Sequence, residues 1–125
     1  MSRIELHSAT ARPIGRDDVG RFGDAVGDHN PVHFDVEFAK AAGLPDTVVH
    51  GPFSTAIVID QIVAQVGAEN LLNLDVRLRG PVFPGDELTI TPIDFGEADR
   101  GVEVHNQSGQ LIATAITIIT GDPDA

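Results

Sequence analysis

The chain has no cysteine. That excludes disulfides, thiolate nucleophiles and cysteine-ligated zinc or iron–sulfur centres. Positive charge is also scarce: Lys40 and seven arginines face 19 aspartates and glutamates, for a formal charge of −11. A general nucleic-acid binder neutralises phosphates with lysine and arginine, so no nucleic-acid partner is expected. The same acidity repels phosphate-bearing cofactors and acidic carrier proteins at long range, an effect that a local basic patch overcomes at physiological ionic strength. No apolar run is long enough to span a bilayer, and MSRIELHSATARP lacks the basic and apolar segments of a signal peptide. No membrane partner is expected, and the expected residence is cytoplasmic.

What is present suits one soluble domain. A length of 125 residues allows one core but not two ordinary domains, and 42% hydrophobic with 22% charged residues belongs to a globular chain. We expect a single domain over residues 1–121, followed by a short flexible tail, 122–125.

Hydrophobic periodicity divides the chain in two. Arg3 to His7 alternates Ile4 and Leu6 with polar neighbours and reads as a strand. In RDDVGRFGDAVGD, Val19, Phe22 and Val26 follow helical spacing, and DVEFAKAA is a second short helix with Asp35 as N-cap and Gly43 at its stop. GPFSTAIVIDQIVAQV is longer and apolar nearly all round, with Pro52 placed for a helix start and Gly67 for its end, so burial on most sides is expected. From Leu71 the period changes to two. Strands are expected around LDVRL, GPVFPGDELTITPIDF, GVEVHNQ and LIATAITIIT, with Pro84-Gly85-Asp86 and NQSGQ as turns and the last strand central. A mostly antiparallel sheet that must bury one apolar helix has few solutions other than curling around it, so the expected class is α+β with a hot-dog arrangement.

The stretch GDHNPVH carries the first candidate chemistry. An extended chain would separate Asp28 and His33 by roughly 17 Å. Asn30 and Pro31 oppose that extension, since proline fixes its own φ, pushes Asn30 out of the α region, and asparagine readily takes turn conformations. The stretch can be a catalytic pair, a polar turn, or a metal site using His29 and His33. Pro31 breaks the helical register that metal ligation needs, and no cysteine or dense carboxylate cluster supplies the remaining ligands, so no metal is expected. The second candidate is VVHGPF. Unpaired N–H groups and the helix dipole can stabilise an oxyanion there, Gly51 permits close approach, and Pro52 has no N–H to offer. His50 reads more readily as a buried, hydrogen-bonded corner residue than as a catalyst.

GDHNPVHFDVEFAKAAGL, then VVHGPF, then VRLRGPVFPGDELT together resemble the MaoC-like group of hot-dog proteins, the (R)-specific enoyl-CoA hydratases and (3R)-hydroxyacyl thioester dehydratases. The similarity runs from about Val19 to Leu88. It implies a hot-dog dimer in which Asp28 and His33 activate water for addition to an enoyl thioester, while the Gly51 N–H holds the thioester oxygen. It further implies that Asn30 fixes the turn and contacts water or the thioester. His50, Phe53 and Ser54 are counted with Asn30 as candidate substrate contacts. Two positions depart from the family pattern: Pro52 stands where methionine is common, and Ala56 where a serine is common two turns into the helix. Arg77 and Arg79 either meet phosphates of a pantetheine-bearing substrate or form a solvated strand face. Phe53, Ile57 and Val82 either line an acyl tunnel or pack in the core.

The implied substrate is an acyl-CoA or acyl-carrier-protein thioester, with no separate cofactor. Two competing functions on the same fold are an acyl-CoA thioesterase and a non-catalytic acyl-thioester-binding subunit of a hetero-oligomer. A homodimer is expected, with a higher or mixed oligomer as the alternative. Sedimentation equilibrium should therefore return a mass near twice 13.2 kDa, and a strictly monomeric species would contradict the expectation.

Overall fold

Helix α3, Gly51–Val66, packs on a five-stranded antiparallel sheet. The computed structural model describes residues 3–94, 100–123 and 125. Within these the strands are β1 (Ala9–Thr10), β2 (Leu71–Leu78), β3 (Thr89–Asp94), β4 (Arg100–His105) and β5 (Leu111–Ile119), in sheet order β1-β3-β4-β5-β2. Two further helices, α1 (Arg16–Val26) and α2 (Val36–Ala41), precede α3. The expected third-strand segment ran to Phe95, which lies outside the described residues, as does Asp124 of the expected tail.

Local chemistry accounts for these elements. The period-two pattern of β2 turns Leu74 and Val76 toward the core, and their partners Thr117 and Ala115 on β5 are buried with them. The hairpin between β4 and β5 closes where the Asn106 side chain accepts from the Ser108 and Gln110 amides and Gly109 takes φ 78°. Proline opens α3, as expected. The core joins Val58, Ile62 and Val66 of α3 to Ile90, Val102, Val104, Ile112 and Ile119 of the sheet. Truncating a side chain as buried as Ile62 to alanine costs about 2–5 kcal/mol.

Four expectations are corrected. The segment 3–7 is not a strand: Leu6 is buried, but the His7 main chain bonds to the Gln65 side chain on α3 instead of a neighbouring strand, and β pairing begins only at Ala9. Helix α3 buries one stripe, Ser54, Val58, Ile62 and Val66, and leaves Ile59 exposed, because a single sheet covers a single side of a helix. Strand β5 is internal but not central; β4 holds the middle and β5 lies next to the edge strand β2. Finally, Asp122 is anchored rather than frayed. It is buried, pairs with Arg100 and Arg3, and accepts from the Ile119 amide, tying the start of the chain to its end.

Asp18 organises the approach to α1. Its carboxylate accepts from Arg12, from Arg21 and from the Gly15 amide at the helix start. These bonds, the Arg12 hydrogen bond foremost, lower its pKa from 3.8 to about 2. A depressed carboxylate pKa stabilises the fold above the unfolded-state value, and this contribution is lost as pH falls from 3.8 through about 2. Asp18→Asn is expected to lower stability at neutral pH and to flatten the pH dependence below 3.8, as measured by urea unfolding across that range.

Candidate active site

The connection between α1 and α2 folds back on itself through a few hydrogen bonds. Helix α1 ends at Gly27, with φ 71°, and the Asp28 amide still bonds to the Gly23 carbonyl. The Asn30 amide donates to Asp28 Oδ1 at 3.2 Å, the Asn30 side chain accepts from the Val32 amide at 3.1 Å, and Pro31–His33 form one 3₁₀ turn. Asp35 then caps α2 by accepting from the Glu37 and Phe38 amides. The turn replaces the extended separation with contact: His33 Nε2 lies 3.9 Å from Asp28 Oδ2.

Two further bonds fasten this turn to the segment entering α3. Val48 donates its amide to the Val32 carbonyl, and the Val48 carbonyl accepts from His33 Nδ1 at 2.7 Å. Because a carbonyl only accepts, the proton of a neutral His33 sits on Nδ1 and Nε2 presents its lone pair toward Asp28. A separation of 3.9 Å is too long for a direct hydrogen bond, but it admits one water oxygen within reach of both groups. Asp28 is half-exposed, at 47%, while His33 retains 12%, so one wall is wet and the other sheltered.

Gly51 follows His50 and opens α3. As the first residue of α3 its N–H has no partner inside the helix, and the dipole of a 16-residue helix adds positive potential there. A Cβ at Gly51 would come within 3.0 Å of Leu78 Cδ1, so glycine lets the start of α3 lie close to β2.

The other expected contacts divide. Asn30 uses its side-chain oxygen on Val32 and so acts as the turn former. His50 is 1% exposed and faces Asp28 and His33 rather than open space; Ser54 is likewise buried, on the core stripe of α3. Neither is a surface for substrate. Phe53 stacks on Phe22 with centroids 4.9 Å apart, and together with Ile14 and Ile57 and the polar Arg12, Asp18, Asp60 and Gln61 it lines a cleft of about 310 Å³ that includes neither Asp28 nor His33. Val82 is buried in the core. Arg77 and Arg79 are not brought to the pair. The alternation that points Val76 inward puts them on the sheet face away from α3, where Arg77 lies 3.6 Å from Asp75 and Arg79 donates to Thr114.

His29 is also turned away, bonding the Asp24 carboxylate at 2.8 Å on the outside. Among the described residues the group whose donor atoms come within 4.8 Å of one another is Asp28, His33 and His50. The two imidazoles are stacked at 3.8 Å with 26° between their planes, and one nitrogen of each is bonded to a carbonyl.

Gly23 carries no signal in the sequence beyond its place in the helical stretch RDDVGRFGDAVGD. Its hydrogen atom allows α1 to lie against the loop, since a Cβ there would meet Phe34 Cζ at 2.7 Å and the Asp28 carbonyl at 2.9 Å. No local pattern signals this, because the contact depends on how the loop returns.

The fold and site define a class: a hot-dog protein with an aspartate–histidine pair beside the start of its long helix. The chain belongs to the MaoC-like domain family, whose profile matches residues 4–115. It is 34% identical over 122 residues to a UPF0336 protein of Streptomyces avermitilis, covering 83% of this chain and 81% of that one. It is 35% identical over 89 residues to the 3-hydroxyacyl-thioester dehydratase Y of Mycobacterium tuberculosis, covering 66% of this chain and 31% of that one. The fold is shared with the R-hydratase PhaJ1 of Pseudomonas aeruginosa, with a TM-score of 0.75 at 23% identity over 100% of this chain and 84% of that one.

Gly23→Ala tests how tightly the loop is held. Alanine returns about 1 kcal/mol of helix propensity, but overpacking costs about 1–3 kcal/mol, and the Asp28 carbonyl is backbone that cannot rotate aside. Net destabilisation is expected in urea unfolding; a more stable variant would show that the loop yields.

Proposed function

We propose that the chain catalyses the reversible hydration of trans-2-enoyl thioesters to (R)-3-hydroxyacyl thioesters. The observation that carries this reading is the Asp28 carboxylate facing the bare Nε2 of His33 across 3.9 Å, beside the start of α3. Membership of the MaoC-like family and the similarity to a 3-hydroxyacyl-thioester dehydratase support it.

The chemistry follows from the two acceptors. A water held between Asp28 and His33 donates one hydrogen to each, which aims its oxygen lone pair outward at C3 of the enoyl group. As the new C–O bond forms, the C2=C3 electron pair shifts toward the thioester oxygen, and in this reading the Gly51 N–H holds that growing charge. One water proton passes to the pair. With Asp28 ionised and His33 neutral, the remaining His33 proton is engaged by Val48, so the proton delivered to C2 is the one taken from water. The balance is a hydroxyl on C3 and a hydrogen on C2, and dehydration retraces the same steps.

The thioester reaches the site as an acyl-CoA or acyl-carrier-protein conjugate. A second copy of the chain suits the free edge of β2, where Leu72 and Leu78 are exposed.

Purified protein given crotonyl-CoA is expected to consume the enoyl absorbance without releasing a free thiol to a trapping reagent. Asp28→Asn and His33→Ala should each slow this turnover by about 10²- to 10⁴-fold. Turnover unchanged in both variants would sink the assignment, and release of thiol would favour hydrolysis.

A further inference from the structure

His50 touches both members of the pair and precedes Gly51 in the chain. Its ring stacks on His33 at 3.8 Å, and its Nε2–H donates to the Asp28 main-chain carbonyl at 3.1 Å. Phe22 and Phe34 hold the ring, with centroids at 5.1 and 5.8 Å. Substrate has no access to a side chain this deeply buried. Packing does not account for the choice of residue either, because Nδ1 is buried without a hydrogen-bond partner. A phenylalanine would offer a similar flat ring and leave no bare nitrogen.

We infer that His50 is a positioning residue for the reaction: its ring sets the plane of His33, and its N–H sets the backbone of Asp28. One rigid side chain thereby maintains the spacing between Asp28 Oδ2 and His33 Nε2 in which the water sits. It also lies at the N-cap of α3, so the same residue couples that spacing to the Gly51 amide. A buried nitrogen without a partner is tolerated where orientation of reacting groups outweighs stability. The kinetic consequence rests on the hydration reading above, whereas the geometric consequence does not.

The informative variant is His50→Phe, which keeps a stacking ring but removes both the N–H donor and the bare nitrogen. On thermal stability the loss of the bare Nδ1 and the loss of the bond to the Asp28 carbonyl act in opposite directions, so kinetics and spectra are the readouts. KM for crotonyl-CoA should move by less than about threefold, while kcat falls by about 10- to 100-fold, since a misplacement near 1 Å suffices for such a loss. His50→Gln, which can return an amide donor to the Asp28 carbonyl, is expected to recover part of kcat relative to His50→Leu, which has neither ring nor donor. Imidazole ¹⁵N spectra supply a readout independent of turnover. In the parent protein His33 should be protonated at Nδ1, and in His50→Phe its ring signals should shift.

A His50→Phe enzyme with kcat within about twofold of the parent would overturn the inference, as would His33 signals that do not move. If His50→Phe fails to fold, the same two measurements on His50→Gln decide the matter. Absent hydration by the parent, with His33 signals that still move on substitution, would remove the proposed reaction and leave the positioning role standing.

Discussion

The hydrogen bond from His33 Nδ1 to the Val48 carbonyl is the constraint on which the site depends. It does two things at once. It joins the loop after α1 to the segment entering α3, in parallel with the bond from the Val48 amide to the Val32 carbonyl. It also decides which nitrogen of a neutral His33 carries the proton, and therefore which one faces Asp28. Without that tie the Asn30-Pro31 turn would still form, but the His33 proton would no longer be committed to Val48.

Around this bond the site is assembled from short-range and long-range parts in sequence. The turn is local, made by Asn30 accepting from Val32 and donating to Asp28. The return of the loop onto α1 is not local and requires an absent side chain, at Gly23. Burial then separates roles that sequence spacing alone merges: Asp28 faces solvent, His33 is sheltered, and His50 is sealed beneath them. His29 and His33 lie in GDHNPVH and His50 in VVHGPF, and the fold gives each a different task. His29 pairs with an outside carboxylate, His33 presents a lone pair, and His50 supports both partners of the pair.

The sheet supplies the platform and, through its alternation, a sorting rule. Leu74 and Val76 go inward while Asp75, Arg77 and Arg79 go outward, so two arginines within VRLRGPVFPGDELT lie on the face away from Asp28 and His33. The Arg3–Asp122–Arg100 cluster ties both ends of the chain to β4, which is why a segment with the composition of a loose tail is ordered as far as Asp122. Breaking one partner of such a buried ion pair is costly because the other is left charged and dry.

Hydrophobic period and turn chemistry are local, and they were sufficient to read α1, α2, α3, β2, the β4–β5 hairpin and the Asp28–His33 turn directly from the residues. The pairing of Asp28 with His33 was legible because proline and asparagine restrict the backbone whatever surrounds them. Tertiary structure alone decided the rest. Whether residues 3–7 pair as a strand depends on Gln65, nearly sixty positions away, claiming the His7 backbone. Whether α3 is covered on one side or several depends on how many layers the chain can build. The place of His50 beneath both partners depends on the closure between Val32 and Val48, a contact that no local pattern encodes.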